Sequence, residues 1–460
     1  MQKESIYKKL ANKYEEDLLK SLTSFVAINS VYDESTVDDE NPFGKGVTNA
    51  LNFIADLAKK DGFQVKNHDN QVIEITIGDG VKNITVMAHA DVVPAGTGWN
   101  QDPFSVTVKK GVLCGRGVAD DKGPLLSAYY AMKLLRDNNL LGNYQVRFLV
   151  GGNEERGSKC MHHYFQELKM PQPTFGFSPD SDFPLIYGEK GIINFKVKKA
   201  MSINGVFSIH GGVASNSVIE KCVVRMRDNQ FFLKILKNKG INFAVSFFEG
   251  GMEVTFIGRA AHGSTPELGL NSAMIAIQEL GEFLDDANLK DLSNRFSDLE
   301  GAGLKANAHS ESMGHNSLNV GLLDYENDEL TMIVNFRHVD GVDEKKLIEA
   351  IKENAKPFDV EIMSISPLLF YPLDSVLVST LLKAYQKETG DIVTKPLTTG
   401  GGTYAKEADN VIAFGMQFPG WDSMMHSPSE STRKKDLFKS IAIYARAIVE
   451  LGKKIDENQI

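Results

Sequence analysis

Cysteine and tryptophan are scarce in this chain of 460 residues, which holds three Cys and two Trp. Cys114, Cys160 and Cys222 are an odd number without Cys-x-x-Cys spacing. That argues against a disulfide framework or a sulfur-ligated zinc site, and a reducing cytoplasm fits. Positive charge is also short: 50 Lys+Arg against 60 Asp+Glu leave a net −10. Phosphate backbones gain no general attraction from such a surface, so nucleic acid is not an expected partner. No apolar run reaches the ~18 residues a spanning helix needs, and no membrane partner is expected. The segment MQKESIYKKLANKYEEDLLK is amphipathic and charged, without the basic-then-apolar order of a secretory signal, so the expected location is cytoplasmic.

Apolar residues make up 42% and charged residues 24%, the composition of an ordinary globular protein. The length is roughly three times the ~150-residue domain mode, so two or more domains are expected. Helical spacing over 5–29 and 48–60 is followed by apolar, β-branched runs at 71–77 and 83–93. Helix and strand patterns then alternate through 122–138, 144–152, 158–169 and 174–180, which points to an α/β layer with a mainly parallel mixed sheet flanked by helices. From residue 188 the pattern turns to amphipathic strands, with a hairpin expected at Glu249-Gly250-Gly251, a helix over 269–286, a strand over 329–339, a helix over 343–354 and a strand over 359–365. An inserted α+β domain with antiparallel sheets is therefore expected over 188–377. The first domain, 1–187, resumes at 378–460 with a helix, the loop TTGGGTYAKEA, a strand and a final helix over 436–452.

Five segments put His or carboxylates at or just after apolar strands: His89 in MAHADVV, Asp120-Asp121 in GRGVADDKGP, Glu154-Glu155 in GGNEERGS, Asp180 and Asp182 in FSPDSDFP, and His426 in WDSMMHSPSE. In α/β sheets, sites are built at strand ends. Each segment alone has an ordinary structural reading, and their coincidence is the signal. Paired carboxylates in a half-buried site repel unless cations or protons compensate them, and a divalent metal supplies that compensation. Two imidazoles with three or four carboxylates exceed the ligand set of one catalytic zinc, so two divalent ions fit the count better. Of Glu154 and Glu155, one would bind metal and the other serve as general base. Gly115, Gly117 and Gly123 free the loop around Asp120-Asp121, and Asp91 lies on the same strand face as His89.

Taken together, HADVVP, WNQDPF, GRGVADDKGP, GGNEERGS, FSPDSDFP, GEKG, GRAAHGSTPELGLNSA, TTGGGTYAKE and GMQFPGWDSMMHSPSE resemble the dinuclear metallohydrolase family of aminoacylases, glutamate carboxypeptidases, carnosinases and bacterial dipeptidases, most closely its PepV-like members. The resemblance implies a catalytic domain with an inserted lid. It assigns His89 and Asp180 to one metal, Glu155 and His426 to the other, and Asp120 to the bridge. It makes Glu154 the general base that activates a metal-held water, Asp91 the residue that steadies His89, and His262 the stabiliser of the oxyanion. Asn216, Arg337 and the loop Gly401, Gly402 and Thr403 are implied in holding the substrate's carboxylate, although Asn216 sits in Asn-Ser-Val-Ile-Glu instead of the family's usual wording. The cofactor implied is a pair of divalent ions, zinc foremost, with manganese or cobalt as alternatives. The expected activity is dipeptide hydrolysis by a monomer. Rival readings are an N-acyl amino acid hydrolase or carboxypeptidase of the same family, or a metal-dependent binding protein without chemistry.

Overall fold

The computed structural model of the chain describes residues 5–458; the outermost residues of the two expected terminal segments, 1–4 and 459–460, lie outside it. The described chain divides into two compact units. One is formed by the chain up to Gly188, Leu369–Leu397 and the chain from Gly402 onward, the other by Glu189–Leu368 and Thr398–Gly401.

The first unit is built on a nine-stranded mixed sheet. Its parallel pairings run through the middle: Gln145–Gly151 beside Asn83–His89, then Phe175–Ser178, then Val411–Ala413. Antiparallel strands flank them, Val72–Ile77 and Gln64–His68 on one side and Ile186–Glu189 on the other. All seven residues of Asn83–His89 are buried, which is why that stretch reads as a continuous apolar run. The helix Lys122–Asp137 is buried on nearly every side, from Lys122 through Leu135. The helices Lys45–Lys60 and Lys434–Asp456 turn apolar stripes, Val47, Leu51 and Ile54 in one and Leu437, Ile441, Ile448 and Leu451 in the other, into the same core. The helix expected over 5–29 is broken into Ile6–Ala11, a 3-10 turn and Glu15–Val26.

The second unit carries an eight-stranded antiparallel sheet. Strand Gly191–Ala200 alternates buried Ile193, Phe195 and Val197 with half-buried partners, so one face meets the helices. Those helices are Gln230–Asn238, Ser272–Leu284, Ala287–Phe296 and Glu344–Ala355. The hairpin Phe243–Phe248 to Gly251–Ile257 turns through Glu249 and Gly250, with Gly250 at φ +85°. Among the described residues, no helix is long and apolar enough to cross a membrane.

Candidate metal centre

Strand register assembles the site. His89 is the last residue of its strand and lies opposite Gly151, the last residue of the next. Gly151 leads directly into Glu154 and Glu155, and Ser178 on the other side of His89 leads into Asp180. Gly151 has to be glycine, because a Cβ there would lie 2.3 Å from the Tyr404 hydroxyl and 2.8 Å from Cys160 Sγ. His426 arrives on a loop held at its far end by Ser431–Arg433, which pairs with Val112–Cys114. Its φ of +62° is the left-handed region. Such a backbone costs a residue with a Cβ roughly 1–2 kcal/mol, and functional side chains are where that cost is commonly tolerated.

Asp120 sits at the centre. Its Oδ1 is 3.0 Å from His89 Nε2 and its Oδ2 is 2.8 Å from His426 Nε2. Asp180 Oδ2 lies 3.6 Å from His89 Nε2. Glu155 Oε1 lies 3.4 Å from His426 Nε2, yet this buried oxygen makes no hydrogen bond. The donor atoms thus fall into two triads that share Asp120: His89, Asp120 and Asp180, and Asp120, Glu155 and His426, with the atoms of each within 4.8 Å of one another. Two imidazole nitrogens with carboxylate oxygens, one of them an orphaned buried acceptor, fit divalent cations. Asp121 faces elsewhere and accepts from the His89 backbone N–H at 3.0 Å. Asp182 accepts from Gln417 at 2.7 Å.

The charge pattern agrees with that fit. Burial, then the charge of Asp180, holds Glu154 well above the usual carboxylate range. Burial, then Asp120, raises Glu155, and the same two causes push Asp180 up to about 7. Burial would raise Asp120 as well, but hydrogen bonds from His426 and His89 override it and hold it low. The hydrogen bond to Asp120, then the nearby Glu155 carboxylate, pushes His426 up to about 11. A cluster whose acids resist ionisation while its imidazoles hold protons is one that added cations relieve.

Asp91 has two tasks. Its carbonyl oxygen accepts from His89 Nδ1 at 2.9 Å, which fixes the ring with Nε2 facing the site, while its Oδ1 lies 3.4 Å from the same nitrogen. Its two carboxylate oxygens accept the backbone N–H groups of Glu154 and Glu155, both at 3.1 Å. The loop glycines also divide their roles. Gly115 and Gly117 have positive φ, whereas Gly123 is required for room, a Cβ there lying 2.1 Å from Val118 O.

Sequence reasoning did not single out Arg116, Glu430 or Tyr404. Arg116 and Glu430 pair at 2.6 Å, both essentially inaccessible. Tyr404 stands edge-on to His89, ring centroids 6.1 Å apart, with its hydroxyl 3.0 Å from Cys160 Sγ. All three lie inside segments that carried the resemblance, which was the available signal.

The remaining candidates belong mostly to the second unit. His262 is exposed, with Nδ1 2.6 Å from Ser264 Oγ, and bridges Ser217 through the backbone. Asn216 is exposed, and its carbonyl accepts from the Gly263 N–H at 2.7 Å. Arg337 is 3% exposed, donates through Nε to Asn335 Oδ1 at 2.9 Å and through Nη1 to the Gly400 carbonyl. Gly401 N donates to Thr399 Oγ1 at 3.1 Å. Gly402 and Thr403 fall in the first unit, where the Thr403 hydroxyl accepts from the Ala405 N–H at 3.1 Å and caps the short helix Tyr404–Glu407.

The family model for peptidase family M20/M25/M40 matches residues 85–450. A protein of Staphylococcus haemolyticus (strain JCSC1435), provisionally named a dipeptidase, is 32% identical, with 97% of this chain and 99% of that one covered. Among solved structures, the di-peptidase Dug1p from Saccharomyces cerevisiae superposes with a TM-score of 0.60 at 16% identity, covering 97% of this chain and 98% of that one. The YXEP protein of Bacillus subtilis, titled a dinuclear metal-binding peptidase from family M20, superposes at 0.52 with 11% identity, covering 96% and 99%. At such identities the two structures speak for the fold alone.

Proposed function

The chain belongs to peptidase family M20/M25/M40 and is a metal-dependent peptidase, and from that premise we propose that it hydrolyses dipeptides at a dinuclear centre. The observation that carries this reading is Asp120, one oxygen toward His89 and the other toward His426, at 3.0 and 2.8 Å. His89 and Asp180 would hold one divalent ion, Glu155 and His426 the second, with Asp120 available to both. When bound, such ions polarise a peptide carbonyl and acidify water.

The chain's own groups do the rest. Glu154 takes a proton from the attacking water on a carboxylate oxygen and returns it to the leaving amine nitrogen. Burial that raises its pKa suits a group that must both accept and release a proton. Asp91 keeps Glu154 and Glu155 aimed by gripping their backbone N–H groups. On the second unit, the Ser264 N–H points at His262 Nδ1 from 3.4 Å, which favours the ring proton on Nε2 as a donor to the developing oxyanion. The Arg337 fork, with Asn216 and the loop Gly401, Gly402 and Thr403, holds the substrate carboxylate. The metal is zinc, with manganese and cobalt accepted by the same ligand types. The enzyme works as a monomer in the cytoplasm.

A panel of dipeptides assayed with zinc, manganese or cobalt tests the proposal. Dipeptides should be cleaved, and their N-acetylated forms should be resistant. Cleavage of N-acylated amino acids with dipeptides spared would instead make the chain an acyl amino acid hydrolase, and no cleavage of either would make it a binding protein.

A further inference from the structure

The Arg116–Glu430 pair is buried, charged and unused by the chemistry above. Glu430 Oε1 accepts three backbone N–H groups from the loop that ends at Asp120: Gly117 at 2.8 Å, Ala119 at 3.0 Å and Asp120 itself at 3.3 Å. Its Oε2 accepts from Arg116 Nη1 at 2.6 Å. The Glu430 carbonyl takes the Gly115 N–H at 3.3 Å. Arg116 in turn reaches the carbonyls of Pro94 at 3.3 Å and Ala95 at 3.4 Å, and its guanidinium lies 5.4 Å from the Trp99 ring centre.

These contacts join three parts of the chain that are remote in sequence. Pro94 and Ala95 follow His89, the 117–120 loop carries Asp120, and Glu430 stands four residues after His426. A buried ion pair is weak evidence for stability, because desolvation cancels much of its attraction. A carboxylate oxygen filled by three converging N–H donors instead fixes backbone position. We propose that Glu430 is a positioning residue: by accepting the N–H groups of Gly117, Ala119 and Asp120 it sets the loop so that Asp120 faces His89 and His426 at once, and it thereby governs how tightly the centre binds metal.

This inference rests on the reading of the five residues as a dinuclear site, and the test keeps the two apart. The pair is removed in two ways that leave no buried charge, R116M/E430Q and R116M/E430M, and zinc binding to each metal-stripped protein is measured by titration with metal analysis. Gln retains an acceptor oxygen for the three N–H groups and Met does not. In R116M/E430Q, both zinc affinities should stay within about threefold of wild type. In R116M/E430M, the weaker-bound zinc should lose about 10- to 100-fold in affinity, the cost usual for disturbing a ligand's hydrogen-bonded support. Melting of the metal-free proteins reports any purely structural effect, which would lower the melting temperature and leave zinc affinity of the folded protein intact. Equal zinc binding by the Gln and Met variants overturns the inference. So does a loss in R116M/E430Q as large as that expected for Met, which also keeps the test decisive if the Met variant does not fold. Wild type that fails to take up two zinc ions would sink the reading of the site and not this inference alone.

Discussion

The two units bury charge in opposite ways. In the first, parallel strands end together, and His89, Asp120, Glu155 and Asp180 are drawn into one low-accessibility cluster whose oxygens have few partners but the imidazoles. In the second, an antiparallel sheet spreads its polar groups: Arg337 is tied to Asn335 and Gly400, and His262 and Asn216 are exposed. Parallel topology concentrates loops at one edge, and an ionised carboxylate cluster there needs counter-charge. Affinity for metal should therefore live in the first unit alone, while the second should affect how substrate and the developing oxyanion are held.

The strongest way to sharpen that division is Glu154→Gln. It should lower kcat by about 10²- to 10⁴-fold with metal content unchanged, since it removes a proton acceptor and not a ligand. Steady-state kinetics with metal analysis on the same preparation checks it. The cores differ as well. Leu126→Ala, at a fully buried position of the helix Lys122–Asp137 in the first unit, should cost about 2–5 kcal/mol in denaturant unfolding. Phe247→Ala, on the edge strand of the second unit's sheet where the side chain is 57% exposed, should change stability by only about 0.5 kcal/mol or less.

Arg337→Met should raise KM by about 10- to 100-fold, with a smaller effect on kcat and none on bound metal, as expected for one lost charged hydrogen-bonding group. Loss of metal in this variant would break the comparison.

The smallest effect is in pH. Asp180 is raised by burial and then by Asp120 to about 7 in the metal-free protein. A carboxyl whose folded pKa lies above its unfolded value contributes stability that is complete below about pH 4 and disappears as pH rises through about 7. Bound cations remove that loss. The gap in melting temperature between metal-loaded and metal-free protein should therefore widen as pH rises from about 4 to 7, and a gap that narrows would contradict the assigned cause.

Much of this was legible in the sequence because local pattern and strand ends coincide. The run at 83–93 announced a buried strand, although the strand stops at His89: Ala90 N turns to Gly151 O, and Val92 N to Ser30 O, so burial continues without sheet pairing. Apolarity alone does not distinguish those two kinds of burial. The polar edge strand Gln64–His68 gave no apolar signal, because most of its side chains are exposed. The segment expected as one helix over 158–169 divides into a short α-turn, Lys159–His162, and a π-turn, His163–Glu167. Asp120 and Asp121 were indistinguishable by type, and the resemblance alone favoured Asp120; the structure turns Asp120 toward two imidazoles and Asp121 toward a backbone N–H. Glu430 was hidden for a plainer reason. It bonds backbone groups 310 to 313 residues away, and no periodicity encodes such a contact.

The central claim is that one carboxylate, Asp120, is shared by two ions. Metal analysis of wild-type protein beside Asp120→Asn, each loaded with excess zinc and then freed of unbound ion, tests it most directly. The expected result is two zinc ions per wild-type chain and fewer than one in the variant. A single ion in wild type, or two ions retained without the Asp120 carboxylate, would contradict it.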